Sequence, residues 1–201
     1  MKKALILIDF INEIANKKGK MFAKGYYNYC IENNTILKAQ KLLNKFRKNN
    51  DIIIHVRIAF SENYIEQPKN SPLFGKAKEF EAFKLNSFGT EFIEELKPIN
   101  DEIQIIKNRV NAFYGTNLDL ILKNNKIEEL YICGIATDLA VSSMVRDAHD
   151  RDYIVNVVED CCGAGSNKDH LTALLSLKKI SKVIKEDEMN IKKRNMGKSY
   201  E

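Results

Sequence analysis

The sequence predicts an α/β protein built on a doubly wound, six-stranded parallel sheet with helices on both faces. The apolar run at residues 4–8 is continuous rather than alternating, which is typical of a strand covered on both faces, and residues 52–56 are predicted to form a second buried strand. Segments 38–49 and 168–177 instead have apolar residues at helical spacing. Strands separated by helices pair in parallel, because a parallel connection needs a long crossover. We therefore expect the first and fourth strands to lie side by side where the strand order reverses, which is where such sheets bind ligands.

Length and composition are those of one domain followed by a charged tail. The chain has 201 residues, of which 44% are hydrophobic, enough for one substantial core over residues 1–185. Charged residues dominate after residue 185, so 186–201 is predicted to be a frayed or disordered tail. The net charge of +5 is spread along the chain without a basic stripe, which argues against nucleic-acid binding.

Targeting features and cysteine usage favour the cytoplasm. The first apolar run ends at Asp9, too soon for a signal peptide, and no stretch has the length of a membrane span. The chain has four cysteines: Cys30, Cys133, Cys161 and Cys162. None forms a C-x-x-C pair, which favours a reducing compartment over disulfides or a zinc site. We predict a soluble, cytoplasmic protein that binds neither a membrane nor a nucleic acid.

Charged side chains follow two of the predicted strands. Asp9 directly follows the first strand, and Lys107 follows the third strand at 103–106. Asp9 either caps a turn or takes part in chemistry, and Lys107 is either solvated or buried beside it. Because the expected strand order brings these strand ends together, we expect both side chains to converge on one crevice.

The second strand ends near two more polar side chains, His55 and Arg57. A guanidinium at a strand end can grip a substrate carboxylate through two parallel hydrogen bonds. An ordinary ion pair is the alternative for Arg57. His55 is expected to be a hydrogen-bonded core residue rather than a metal ligand, since no second histidine lies nearby.

Residues 60–89 break the regular pattern and are predicted to be a long loop or lid inserted in the domain. They contain prolines, glycines and scattered aromatic residues, among them Tyr64, Phe74, Phe80, Phe83 and Phe88. Loops of this length inside a compact domain are usually functional lids or interaction surfaces. The aromatic side chains could line a substrate pocket, cover the site of a neighbouring subunit, or pack as a small separate core, and the sequence leaves all three open.

The remaining elements alternate in the way this class requires. They are a short helix at 90–96, strands at 130–133, 154–158 and 180–184, a helix after Gly134 and a helix at 168–177. Thr90 is predicted to cap the first of these helices. In the last helix, Leu171, Leu174 and Leu175 are predicted to face the core.

The turn after the fourth strand is a candidate anion site. A strand that turns sharply into a helix leaves backbone N–H groups directed over the strand's carboxyl end. Gly134 permits the tight turn, and Thr137 or Asp138 is expected to begin the helix. The backbone N–H groups of Ile135, Ala136 and Thr137 are therefore candidates to stabilise an oxyanion.

Three motifs point to a known family. They are Gly-Ile-Ala-Thr-Asp at 134–138, Asp-Phe-Ile-Asn at 9–12, and the segment from Lys107 through Ala112-Phe113 to Gly115-Thr116. Together they resemble the isochorismatase-like hydrolases, a superfamily that also holds the nicotinamidases and other cysteine amidohydrolases. The resemblance spans residues 5–184 and implies the Rossmann-like fold of that superfamily, a small-molecule substrate, and a homodimer or higher homo-oligomer.

The resemblance also implies roles for individual residues. Asp9 would be a general acid/base and Lys107 its electrostatic partner, as the matching residues are in the family. Phe10, Arg57 and Phe113 are then candidates for substrate binding. The metal pair of the nicotinamidases has no counterpart after the second strand, so neither a metal nor another cofactor is expected.

One residue departs from the family at its most important position. Ala140 stands two residues after Asp138, where the amidohydrolases have their nucleophilic cysteine, and a methyl group cannot attack a carbonyl. The chain then fits one of three hypotheses. It is a hydrolase that uses Asp9 and Lys107 without a thiol on a vinyl ether or another acid-labile molecule, an amidohydrolase inactivated by a change from cysteine to alanine, or a non-catalytic relative that binds a small molecule. A phosphate- or nucleotide-binding protein is disfavoured, because the chain has no G-x-G-x-x-G motif and no P-loop.

Overall fold

The computed structural model describes residues 1–189. Its centre is one six-stranded parallel sheet with the strand order β3-β2-β1-β4-β5-β6. The strands are β1 (Lys2–Ile8), β2 (Ile52–Ile58), β3 (Ile103–Lys107), β4 (Ile127–Gly134), β5 (Ile154–Val158) and β6 (Lys182–Ile184). The predicted α/β fold is confirmed, and β1 and β4 are neighbours where the strand order reverses.

Six α-helices connect and cover these strands within residues 1–189. They are α1 (Asn12–Ala15), α2 (Tyr26–Glu32), α3 (Thr35–Lys48), α4 (Leu118–Asn124), α5 (Ser142–Asp150) and α6 (Asn167–Leu177). Among these residues, no helix is both long and apolar enough to cross a membrane.

The central strands are buried because their side chains are apolar on both faces of the sheet. In β1 every side chain from Ala4 to Ile8 is at most 1% exposed. Helix α3 packs its apolar stripe of Ala39, Leu42, Leu43 and Phe46 inward, as its spacing predicts. Burying an aliphatic side chain of this size stabilises the fold by roughly 1.5–3 kcal/mol, so these elements form a rigid base for the strand ends.

Two local predictions were wrong. Residues 90–96 form no continuous helix but two short 3₁₀ turns, Phe88–Thr90 and Glu94–Leu96. The residues between the turns are extended because they pair with the chain after β1, where Ile93 N–H donates to Phe10 O at 3.0 Å. In α6, Leu174 is buried but Leu171 and Leu175 are 59% and 68% exposed. The core-facing stripe of α6 is instead His170, Ala173, Leu174 and Leu177, which also has helical spacing.

Residues 60–89 contain no α-helix and no strand. Their aromatic rings nevertheless pack together, with Phe60 against Tyr64 and Phe74, and Phe74 against Phe83, at centroid distances of 5.7–5.9 Å. Phe80 and Phe88, by contrast, are 57% and 48% exposed. Phe60, Tyr64, Phe74 and Phe83 belong to the main hydrophobic core, so packed aromatic rings join the segment to the rest of the domain.

The described part of the predicted tail packs on the domain. Glu186 is buried and pairs with Lys45, whose Nζ also donates to Glu186 O at 2.6 Å. Met189 is buried as well. The rest of the predicted tail, 190–201, lies outside the described residues.

Candidate active site

Asp9 and Lys107 form a buried ion pair at the carboxyl edge of the sheet. Asp9 immediately follows β1 and Lys107 is the last residue of β3, with β2 between the two strands. Lys107 Nζ lies 2.7 Å from Asp9 Oδ2, and the side chains are 1% and 4% exposed. Ile58 N–H, at the end of β2, donates to Asp9 Oδ1 at 2.7 Å. The middle strand therefore holds the carboxylate in place while its outer neighbour supplies the cation.

The surroundings of Asp9 favour a protonated carboxyl more than water does. Burial raises the pKa of Asp9 above its ordinary value, and the opposing effects of Lys107 and of the Ile58 N–H do not cancel that rise. The backbone of Asp9 is also unusual, with φ at 57° in the left-handed region. Aspartate tolerates that region better than most residues, and such conformations concentrate at functional sites.

The Asp9–Lys107 pair opens into a small cavity of about 40 Å³. Its other lining residues include Ile58 at the end of β2, Ala136 and Ala140 in the turn after β4, and Phe83 in the irregular segment. This volume holds about three groups the size of a water molecule. We call this candidate catalytic site the catalytic cavity.

The turn after β4 is shaped by close contact with β1. A Cβ on Gly134 would lie 2.5 Å from Ile8 O, so only glycine fits between the two strands. The Ile135–Ala136 peptide is cis. The following turn, Thr137–Val141, is a single π-helical turn in which Val141 N–H donates to Ala136 O. This turn places Ala140 in the wall of the catalytic cavity.

Only one of the three predicted oxyanion donors has a free backbone N–H. Ile135 N–H donates to Ile8 O at 3.0 Å, and Thr137 N–H donates to Gly163 O at 2.8 Å. Within residues 1–189 the N–H of Ala136 has no acceptor, and Ala136 lines the catalytic cavity. Of the three predicted donors, the N–H of Ala136 is therefore the one available to a ligand.

This geometry agrees with the comparison to known proteins. An isochorismatase-domain family model matches residues 3–188. The chain belongs to the isochorismatase family. It is 31% identical over 170 residues to the uncharacterised isochorismatase-family protein YecD of Escherichia coli O157:H7, a match covering 83% of this chain and 82% of YecD.

Solved structures of the family have the same fold. An isochorismatase-like hydrolase from Alkaliphilus metalliredigens matches with a TM-score of 0.77 and 25% identity, covering 94% of this chain and 96% of the other. The N-carbamoylsarcosine amidase of Thermoplasma acidophilum matches with a TM-score of 0.74 and 25% identity, covering 95% and 100%. The predicted isochorismatase-like hydrolase fold is therefore confirmed.

None of the three residues predicted to bind substrate lines the catalytic cavity of this isochorismatase-family protein. Arg57 points to the opposite face of β2 from Ile58, where its Nη1 donates to Thr90 O at 3.0 Å and its guanidinium lies 5.1 Å from the Phe92 ring. The reason is the two-residue alternation of a strand, which continues through Arg57 because β2 is longer than predicted.

Phe10 and Phe113 are part of the core instead. Phe10 is 1% exposed. Phe113 stacks on Tyr153 at a centroid distance of 6.2 Å and lies under the Arg151 guanidinium. Both rings are therefore packed in the core and do not line the catalytic cavity.

The sequence analysis missed several cavity-lining residues. Met21, Tyr26, Val110 and Leu139 all line the catalytic cavity. The phenol of Tyr26 adds a polar group. Burial raises the pKa of this phenol most, and the negative charges of Asp138 and Asp169 raise it further. These residues lie in loops and short helices, where no sequence period marks which side chains face inward, so no local pattern could have identified them.

Glu13 was also missed, and it ties two walls of the cavity together. It is 3% exposed, and its carboxylate accepts hydrogen bonds from Phe83 N–H at 2.9 Å and Lys20 N–H at 3.1 Å. These bonds join the irregular segment to the loop after α1. The aromatic residues of 60–89 were the only sequence hint that this segment would reach the site.

A histidine outside the cavity supports the turn from behind. Thr137 Oγ1 donates to Gly163 O at 2.9 Å and lies 2.8 Å from His170 Nδ1. The tautomer of the His170 ring sets which of these two atoms donates in that contact. Burial lowers the pKa of His170, which favours the neutral ring.

None of the four cysteines lines the catalytic cavity. All four cysteines are buried and free. Burial raises the pKa of Cys133, Cys161 and Cys162, so their thiolates are disfavoured. Within the described residues, no cluster of three or more His, Cys, Asp or Glu side chains could hold a metal ion.

Proposed function

We propose that this isochorismatase-family hydrolase cleaves a small molecule by general acid/base catalysis, with Asp9 as the acid/base and Lys107 as its electrostatic partner. The observation that carries the proposal is the buried Asp9–Lys107 pair in the wall of a cavity. Removing two charges from water is costly, so such a pair stabilises a fold poorly. Its position against a cavity, with a shifted carboxyl pKa, supports a chemical role.

A vinyl ether is the substrate class that fits this site without a thiol. Asp9 donates its proton to the carbon of the enol ether, forming a C–H bond and an oxocarbenium ion. Water then adds to that ion and returns a proton to Asp9, and the resulting hemiketal loses its alcohol as the C–O bond breaks. A positioned carboxyl acid contributes about 10² to 10⁴ in rate.

The neighbours of Asp9 support both halves of this cycle. Burial makes the protonated acid available at a higher pH than in water, while Lys107 stabilises the carboxylate that remains after transfer. Lys107 Nζ donates one hydrogen bond to Asp9 and another to Arg109 O at 3.2 Å. Its third N–H and the free N–H of Ala136 can bind a substrate oxygen.

The second candidate is an amidase site that lacks its nucleophile. Ala140 lines the same cavity as Asp9 and Lys107, in the position that the family resemblance assigns to a cysteine. The likeness to N-carbamoylsarcosine amidase supports an amide or ureide as the ligand. In this case the chain binds such a molecule without turning it over.

Turnover of a mixed panel by three purified forms tests the two candidates. The panel contains isochorismate, small carboxamides and ureides, and the forms are the protein as it stands, Asp9→Asn and Ala140→Cys. We expect the unmodified protein to hydrolyse the vinyl ether and Asp9→Asn to be at least about 100-fold slower. Circular dichroism of each form checks that it is folded.

The opposite outcome is equally informative. If only Ala140→Cys is active, and on amides, the thiol-free mechanism is wrong and position 140 is that of a lost nucleophile. If the unmodified protein and Asp9→Asn have equal activity, Asp9 is not the acid.

A further inference from the structure

We propose that the substrate carries an anionic group, a carboxylate or a phosphate, that binds a lysine-lined pocket beside the catalytic cavity. The inference rests on the proposed function, because it assigns the far end of the same substrate. The pocket, called here the lysine pocket, is lined by Lys20, Lys24 and Lys76 together with apolar side chains.

The sizes of the two cavities require a second binding region. The catalytic cavity has a volume of about 40 Å³, whereas the lysine pocket has about 620 Å³. Pockets for small molecules usually measure roughly 300–1,000 Å³. Only the reacting group of a substrate fits beside Asp9, so the rest of the molecule must lie elsewhere.

The lysine pocket is in the right place to hold that remainder. Met21, Leu73 and Phe83 line both cavities, so the two cavities adjoin at these side chains. Met21 and Leu73 are partly exposed, and a methionine changes rotamer easily. A substrate that displaces these two side chains spans both cavities.

The charge of the lysine pocket selects an anion. Lys20, Lys24 and Lys76 are exposed, and no acidic residue lines the pocket with them. Within residues 1–189 none of the three takes part in a salt bridge. Lys20 Nζ donates to a neutral acceptor, Glu81 O, at 2.7 Å, which leaves its charge uncompensated. Three like charges facing one space attract an anionic ligand group.

The rest of the lining indicates an apolar part between the two ends of the ligand. Phe80 and Leu73 line the lysine pocket and are 57% and 37% exposed. Ala77, Ala82 and Phe83 are buried beneath them. A small molecule with a reactive end, an apolar middle and an anionic far end matches this order of surfaces.

Calorimetric titration tests the inference without requiring turnover. The probes are glutaramate and 3-phosphonopropanamide, each compared with the neutral glutaramide. We expect the anions to bind at least about tenfold tighter than the diamide at low ionic strength, with the advantage reduced in 0.5 M salt. The triple variant Lys20→Gln, Lys24→Gln, Lys76→Gln should bring the affinity ratio close to one.

A matched triple variant separates a local site from net charge. Lys18→Gln, Lys69→Gln, Lys78→Gln removes the same charge from exposed positions that do not line the lysine pocket, and it should keep the preference for anions. The inference is overturned if both triple variants lose the preference for anions equally. It is also overturned if the anions and the diamide bind equally well, or if neither binds. A retained anion preference without turnover of any substrate would instead overturn only the proposed function.

Discussion

Two carboxylates in this protein, Asp9 and Glu102, are paired with cations beside the same sheet, and they differ in how fully they are satisfied. Glu102 accepts from Arg47 Nε at 2.7 Å and Nη2 at 2.9 Å, from Ile99 N–H at 3.1 Å, and contacts His55 Nε2 at 2.8 Å. Asp9 has two partners, Lys107 and the Ile58 N–H, and faces a cavity.

The difference in partners reverses the effect on ionisation. Burial opposes the charge of Glu102, but its hydrogen bonds outweigh that effect and lower its pKa. For Asp9 burial outweighs the partners and the pKa is raised. A carboxylate saturated with donors is fixed in its charged form, whereas one short of donors beside a cavity can exchange a proton with a ligand.

The largest expected effect is a loss of kcat when Asp9, but not Glu102, is substituted. Asp9→Asn should lower kcat on the vinyl ether by about 10² to 10⁴, because an amide cannot donate an acidic proton. Glu102→Gln should leave kcat within about twofold once activity is divided by the folded fraction. Steady-state kinetics on both variants measures the contrast, and similar losses in the two would remove the distinction.

Glu102, whose substitution should leave activity almost unchanged, is expected to matter for stability. Glu102→Gln should lower the free energy of unfolding by about 2–4 kcal/mol, because Arg47 and His55 lose a charged acceptor while remaining largely buried. Urea unfolding monitored by circular dichroism measures the change. Glu94→Gln is the control, since Glu94 and Lys97 form an exposed pair. A control as destabilised as Glu102→Gln would contradict the structural role.

The two carboxylates should also give stability slopes of opposite sign with pH. The folded-state pKa of Asp9 lies above its ordinary value of 3.8, so its contribution is lost as pH rises from about 3.8 through the folded pKa. The folded-state pKa of Glu102 lies below 4.5, so its contribution is present above 4.5 and lost as pH falls through the folded pKa.

Each slope is limited to about 1.4 kcal/mol per pH unit for one proton. Unfolding free energies of the unmodified protein, Asp9→Asn and Glu102→Gln across this range isolate the two contributions by subtraction. Slopes of the same sign would show that Asp9 and Glu102 occupy equivalent environments.

The smallest effect is expected at Arg57, a charged residue near the site that faces away from it. Arg57→Gln should change KM by less than about twofold, because its guanidinium lies on Phe92 and Thr90 rather than in the catalytic cavity. A KM raised tenfold would instead place Arg57 against the substrate, as the strand-end position alone suggested.

Local sequence patterns were sufficient to predict the sheet and the charged groups at its edge. Continuous apolar runs are buried wherever helices cover a sheet, so the strands and their parallel order followed from local pattern. Asp9 and Lys107 stand directly at strand ends, and a parallel sheet places the carboxyl ends of its strands along one edge. Gly134 marked the sharp turn because only glycine tolerates the contact with Ile8.

Which groups reach the cavity depends on contacts between distant parts of the chain. Arg57 is one residue before Ile58, and the pleat of β2 sends their side chains to opposite faces. The N–H groups of Ile135 and Thr137 are taken by Ile8 and by Gly163, which is distant in the chain. Accessibility of a donor or a side chain depends on its long-range partners, and a local sequence pattern contains no information about those partners.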